Sequence, residues 1–385
     1  MPDVAYRPRL VFWELTRGCN LRCIHCRASA TELSSPDDLN YEESVRIVDQ
    51  LAAYAPMILV LSGGEPLFRR DVFQLARRAT NQGIRVALGT NGTMITADVA
   101  RQISEAGIRR VAISLDGPDA ATHDAFRGIP GAFEKAIEGF EHLKRLGMSV
   151  QINTSVAKHN SAKLPETLDL ALRLGADAFH LFLLVPVGCG VQIADKQMVE
   201  AEEYEQILNW LYDRTLENRI ELKATCAPHF FRVVRQRRAE SRQRGEALPE
   251  LPAHGHGGHA PSAMNMMTRG CLAGTGVCFI SHKGEVYPCG YLPLEAGSLH
   301  RQSFTEVWET SPLFASLRDL GNLKGKCGIC EFRNICEGCR ARAFGCTGDY
   351  LAEEPFCLYT PRGQQPPVSV SAPQPPLVSL QARSS

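Results

Sequence analysis

The chain reads as an α/β protein with a parallel sheet, followed by a second, cysteine-dense module. Short apolar, β-prone runs alternate with longer segments of helical period over the first half, and nine cysteines crowd into residues 271–357. At 385 residues there is room for a barrel-sized domain of about 200 to 250 residues plus a further module. The 42 Lys and Arg balance the 42 Asp and Glu, so no global charge draws the chain to nucleic acid or to an anionic membrane.

The strand candidates are residues 10–15, 57–62, 85–89, 110–115, 149–155 and 178–184. Between them, helical periodicity covers 41–54, 71–82, 96–106, 131–146 and 165–174, with Gly83, Gly107, Gly147 and Gly175 placed as stops. Six strands alternating with helices make a parallel sheet the default. A helix over 200–217 and a short apolar run at 220–224 continue the pattern as far as CAPHFFR at 226–232. Periodicity then breaks. The expected divisions are a core over 1–234, a mobile linker or lid over 235–267, the second module over 268–360, and a Pro-, Ser- and Gln-rich disordered tail over 361–385. His254, His256 and His259 in the linker read as a solvated loop.

In a parallel sheet, active residues gather at the carboxyl ends of the strands. Strand one leads into TRGCNLRCIHCRASA, where Cys19, Cys23 and Cys26 form a CxxxCxxC. Three thiolates from one loop hold three corners of a cuboidal iron-sulfur cluster and leave the fourth iron open to a small molecule. The duller alternatives are a zinc site or buried apolar cysteines, but no fourth ligand follows at zinc-finger spacing. Strand two ends in Gly63-Gly64-Glu65-Pro66, a turn in which two glycines permit close backbone approach to a ligand. Strand four ends in SLDG, with Ser114 and Asp116, and strand five carries Asn153 and Ser155. The 14 cysteines come with no signal peptide and no apolar stretch of about 20 residues, so metal ligation in the cytoplasm is expected, without a membrane span.

The CxxxCxxC followed by GGEP resembles the radical S-adenosylmethionine (SAM) superfamily over roughly residues 10–184, with His25 standing where an aromatic residue is commonest. The resemblance implies a partial (β/α)6 barrel and a 4Fe-4S cluster on Cys19, Cys23 and Cys26 whose open iron chelates SAM. It also implies Gly63, Gly64 and Glu65 at the SAM amino group, with Ser114, Asp116 and Asn153 at its ribose and carboxylate. Asp116 equally suits a turn cap.

Cys271, Cys278 and Cys289, then Cys327, Cys330, Cys336 and Cys339 in CGICEFRNICEGC, then Cys357, supply two complete four-thiol sets. A zinc ribbon is the alternative. The arrangement resembles the SPASM extension of radical SAM enzymes, which implies one or two auxiliary 4Fe-4S clusters. By that pattern Cys271, Cys278, Cys289 and Cys339 hold the first, and Cys327, Cys330, Cys336 and Cys357 the second. Only Glu337 and Gly338 separate Cys336 from Cys339, where many members have three residues, which leaves Cys346 as a substitute for Cys339. Cys189 and Cys226 have no spacing partner and read as buried hydrophobes.

HCRASA, HDAFRGIPGAFE, AFHLFLLVPVG, CAPHFFR and GDYLAEEPFC together resemble the haem-forming branch, the Fe-coproporphyrin III decarboxylases of the alternative sirohaem-dependent pathway. This implies a 5'-deoxyadenosyl radical that abstracts hydrogen from a propionate, loss of carbon dioxide, and two new vinyl groups, with an unidentified electron donor and acceptor. A flat porphyrin bearing carboxylates needs an apolar slot rimmed by cations, for which His180, His229 and Arg232 are the candidates. The haem d1 relatives and the SPASM peptide maturases are alternatives of the same chemistry. A non-catalytic iron-sulfur electron carrier is the alternative from another class, although carriers close every cluster with four protein ligands.

Overall fold

The computed structural model describes residues 6–246 and 270–362. The three linker histidines, and the expected tail beyond residue 362, lie outside them. Strands β1 (Leu10–Glu14), β2 (Ile58–Ser62), β3 (Arg85–Thr90), β4 (Arg110–Ser114), β5 (Ser149–Val156), β6 (Ala178–Leu183) and β7 (Glu221–Thr225) pair in sequence order, all parallel. The 220–224 run thus adds a seventh parallel strand to the six expected.

Helices α1 (Tyr41–Ala52), α2 (Val72–Asn81), α3 (Ala97–Glu105), α4 (Ala120–Arg127), α5 (Ala132–Arg145), α6 (Leu164–Leu174), α7 (Gly190–Gln197), α8 (Ala201–Leu216) and α9 (Phe230–Gln243) follow the strands. Helix α1 starts on a capping box in which Asn40 and Glu43 each accept the other's backbone N–H, worth roughly 1 kcal/mol. The α9 helix runs straight across the expected boundary at residue 234. FFRVVRQRRAESRQ has too few apolar residues to show a helical stripe, so its charge reads as linker until packing against α8 reveals the helix.

Strand alternation sorts the core from the cavity. Val11, Trp13, Leu59, Leu61, Val86 and Leu88 point outward and pack with the apolar faces of α1, α2 and α3. Leu10, Phe12, Val60, Ala87, Gly89 and Ala112 point inward, and the small ones leave space there. The C-terminal stretch joins the same sheet: β8 (Val277–Ile280) pairs parallel with β1, and β9 (Glu285–Tyr287) and β10 (Gly297–Ser298) continue antiparallel beyond it. Helices α10 (Phe304–Thr310), α11 (Pro312–Arg318), α12 (Gly325–Ile329) and α13 (Arg340–Thr347) complete the described fold. Among the described residues no helix is long and apolar enough to cross a membrane.

Candidate active site

One cavity of about 580 Å³ opens at the carboxyl ends of the parallel strands. Cys19, Cys23 and Cys26, in the loop after β1, all line it. The loop is held over the GGEP turn by Gly64 N–H donating to Thr16 O (2.8 Å) and Glu65 N–H to Gly18 O (2.8 Å). A Cβ on Gly64 would lie 2.3 Å from Gly18 O, so only glycine allows this approach. His25 stacks on Phe126 with ring centroids 3.9 Å apart, which explains how an imidazole replaces the commoner aromatic ring.

The thiols suit a cluster. Leu21 N–H donates to Cys19 Sγ (3.4 Å), Asn91 Nδ2 to Cys19 Sγ (3.8 Å), and Arg127 Nη1 to Cys23 Sγ (3.7 Å). Burial pushes the Cys19 thiol up to about 12, so its thiolate needs a nearby cation of the kind iron supplies. Among the described residues no three of His, Cys, Asp or Glu converge on a point that one metal ion would share. A four-iron cluster has no such requirement, since each thiolate takes its own iron.

Four of the six residues expected around SAM divide from the other two by position and role. Gly63, Gly64, Ser114 and Asn153 line the cavity. Glu65 does not face it. Its carboxylate accepts from Thr90 Oγ1 (2.8 Å), Asn91 N–H (2.8 Å) and Leu67 N–H (3.1 Å), and burial pushes it up to about 7. It therefore pins the GGEP turn to the end of β3. Asp116 is likewise fully buried behind the wall, accepting from Ser155 N–H (2.8 Å) and paired with Arg127 at 2.7 Å. Burial works against its charge, yet Arg127 and His25 hold its carboxyl below the ordinary range. Arg127 is the residue that reaches the cavity, and it escaped the sequence reading although it lies inside HDAFRG.

Ser114, Asn153, His180 and Lys223 occupy one register row across β4, β5, β6 and β7, and all four line the cavity. His180 bonds Gln151 Nε2 through Nδ1 (2.9 Å), lies 3.7 Å from Glu221, and is pushed down to about 4 by burial, so it is a neutral wall. The Lys223 side chain has no hydrogen bond or ion pair among the described residues, and burial lowers its pKa. Its signal in the sequence was a lysine between Leu222 and Ala224 in a short strand.

Two of the three expected substrate residues face elsewhere. His229 and Arg232 line a separate small cavity together with Cys327, Cys330, Cys336 and Cys357. Arg232 is paired with Glu205, and its guanidinium lies over Tyr359. His229 is fully buried and stacked on Tyr204 at 4.6 Å, and neither ring nitrogen has a hydrogen-bond partner. Such an orphaned imidazole beside four thiols fits an iron-sulfur group better than an empty apolar core. Helix α9 starts at these residues and turns them away from the barrel mouth.

The second cysteine set is also rearranged. Cys271, Cys289 and Cys339 line the large cavity, whereas Cys278 is absent from it. Cys278 lies on β8 opposite Val11, fully buried in the main core, because Val277 and Phe279 take the cavity face and alternate residues must point away. Cys346 lines neither cavity, whereas Cys339 lines the large one. The two modules are stitched by Arg27, which pairs with Glu14 at 2.7 Å and lies 4.4 Å over Phe279, while Glu14 also bonds His282 Nδ1 (2.6 Å).

A family description for the radical SAM superfamily matches residues 13–171, and one for an iron-sulfur cluster-binding domain matches 271–340. With its cysteine loop at the strand ends of a parallel sheet, the chain belongs to the radical SAM superfamily. Among its relatives, the AdoMet-dependent heme synthase of Methanosarcina barkeri is 48% identical over 354 residues, covering 92% of this chain and 97% of that protein. The pre-heme d1 synthase of Dinoroseobacter shibae is 34% identical over 362 residues, covering 91% and 86%. In fold, the chain resembles Streptococcus suis SuiB bound to precursor peptide SuiA, with a TM-score of 0.70 at 17% identity, covering 93% of this chain and 77% of that one.

Proposed function

We propose that this chain is a radical SAM oxidative decarboxylase that converts two propionates of Fe-coproporphyrin III to vinyl groups, forming haem b. The observation that carries this is a single cavity joining the Cys19–Cys23–Cys26 loop, the polar row ending in Lys223, and the thiols of Cys271, Cys289 and Cys339. The likeness to heme synthases at 44–48% identity supports the same substrate class. With cluster and SAM bound, the site supplies a carbon radical able to take hydrogen from an unactivated carbon.

The protein's part is to hold and shield. Cys19, Cys23 and Cys26 take the cluster, with Arg127 and Asn91 donating to the thiols. Gly63, Gly64, Ser114, Asn153 and Arg127 surround the space for SAM. Lys223 and Arg110 offer cations to substrate carboxylates, and Leu10, Phe12, Val60 and Phe182 keep water from the reacting carbon. Loss of a hydrogen atom from a propionate β-carbon, then of one electron, releases the carboxylate as carbon dioxide and leaves the carbon-carbon double bond. The second electron needs an acceptor, a role that suits the distal cysteine module, with an external donor and acceptor beyond it. We place the protein in the cytoplasm, where thiol ligands stay reduced.

The test is anaerobic incubation with SAM, a reductant and Fe-coproporphyrin III, followed by mass analysis. Loss of two carboxyl groups with formation of 5'-deoxyadenosine is expected. An unchanged porphyrin alongside abundant 5'-deoxyadenosine would move the assignment to a different substrate.

A further inference from the structure

We propose that Cys226, Cys271, Cys289 and Cys339 form the four-thiolate site of the first auxiliary iron-sulfur cluster, and that Cys278 is a core residue with no part in it. This rests on the reading of the chain as a radical SAM enzyme with auxiliary clusters, and assigns one ligand to the strand end of the core instead of to the distal module.

Four observations support the assignment. Cys226, Cys271, Cys289 and Cys339 line the same cavity. Cys226 and Cys289 both pack against the small cluster of buried residues that contains Cys339. Cys226 adopts φ +58°, a left-handed conformation that non-glycine residues rarely take. Its carbonyl is clamped there by Tyr204 Oη (3.0 Å) and Arg342 Nη2 (2.8 Å). A backbone held in an unfavoured conformation just past β7 needs a reason, and aiming a thiol at three others is one.

Cys278 is excluded by the pleat. Strand β8 is locked to β1 in the register Leu10↔Val277, Val11↔Cys278 and Phe12↔Phe279, with Phe12, Val277 and Phe279 on the cavity side. Bringing Cys278 round would slip β8 by one residue and turn Val277 and Phe279 into the core. The environment also suits an anionic cluster at the chosen site. Arg342, fully buried, reaches Cys226 O, Leu183 O and Glu354, and its guanidinium is 4.9 Å from the Tyr204 ring. It places a fixed positive charge beside the thiolates, as a buried multi-thiolate group requires.

The experiment counts iron instead of product. In full-length protein carrying alanine at positions 19, 23 and 26, anaerobic reconstitution leaves only auxiliary iron, about eight atoms per chain for two four-iron clusters. Adding Cys226→Ala is expected to remove about four of these, or about one with appearance of a three-iron EPR signal in the oxidised protein. Adding Cys278→Val is expected to leave iron content and Mössbauer spectrum unchanged. Cys226→Ser, closer in size, guards against a folding defect, and is expected to change the Mössbauer parameters of one iron site. The proposal is overturned if Cys226→Ala and Cys226→Ser match their parent in iron and spectrum, or if a folded Cys278→Val variant loses a cluster. Neither result depends on which porphyrin is turned over, so failure here and failure of the haem assignment are separately visible.

Discussion

The chain builds its two thiol regions in opposite ways. The radical-generating site takes Cys19, Cys23 and Cys26 from one short loop, whose path is set by the GGEP turn beneath it. The four thiols proposed for the first auxiliary cluster come from four separate places in the fold: the end of β7, the stretch before β8, the turn after β9, and the start of α13. A site made by one loop is readable as a spacing. A site gathered from strand ends depends on the sheet that brings those ends together, and spacing alone does not say which face of β8 Cys278 takes.

This contrast orders the predictions. Cys23→Ala should bring 5'-deoxyadenosine down to background while the auxiliary iron is retained, measured by product chromatography and iron analysis on the same preparation. Loss of all iron would mean that the two regions are not independent. Asp116→Asn leaves the buried Arg127 guanidinium without its countercharge and should destabilise the fold by about 3 to 5 kcal/mol, read by denaturant unfolding of the reconstituted protein. A variant as stable as the parent would show that this buried ion pair does not support the fold.

A third prediction concerns Glu221, which lies 3.7 Å from His180 of the shared row. Burial alone would raise the Glu221 carboxyl, but the contacts to His180 and Arg110 hold it at about 2, against an ordinary value of 4.5. The folded state therefore binds its proton less readily than the unfolded chain. The stabilisation, roughly 3 kcal/mol, is fully present above pH 4.5 and is lost as pH falls toward 2. Glu221→Gln should flatten the acid limb of the stability curve, and an unchanged limb would show that the pair contributes little.

Two smaller effects separate the cavities. Lys223→Met should raise KM for the porphyrin roughly 10-fold or more, the worth of one charge-assisted contact, with SAM cleavage in the absence of porphyrin unchanged. Arg232→Met, whose guanidinium faces the distal thiols and Glu205, should keep KM within about twofold. If Arg232→Met instead raised KM and Lys223→Met did not, the orientation found for α9 would be at odds with the substrate's position.

Much of the fold was legible because period and punctuation are local. The six expected strands appear within a residue or two of their predicted bounds, and Gly83, Gly107, Gly147 and Gly175 all adopt positive φ at helix stops. Helix α4 was missed because AATHDAFR has only a short apolar face, and with it went Arg127, the cation that ties Asp116 to the Cys23 thiol. His229 and Arg232 were rightly judged unusual in CAPHFFR, but which of two cavities a helix start faces is not encoded in its own residues.

The sequence by itself determined the elements, the cysteine loop and the GGEP turn, because hydrogen bonding within a turn and alternation along a strand act over a few neighbouring residues. Only the tertiary structure decided that Glu65 and Asp116 brace the wall, that Ser114, Asn153, His180 and Lys223 share a row, and that Cys226 faces the cavity while Cys278 does not. Those outcomes follow from register between strands far apart in the chain, and register is settled by burying whole faces at once, not by any residue alone.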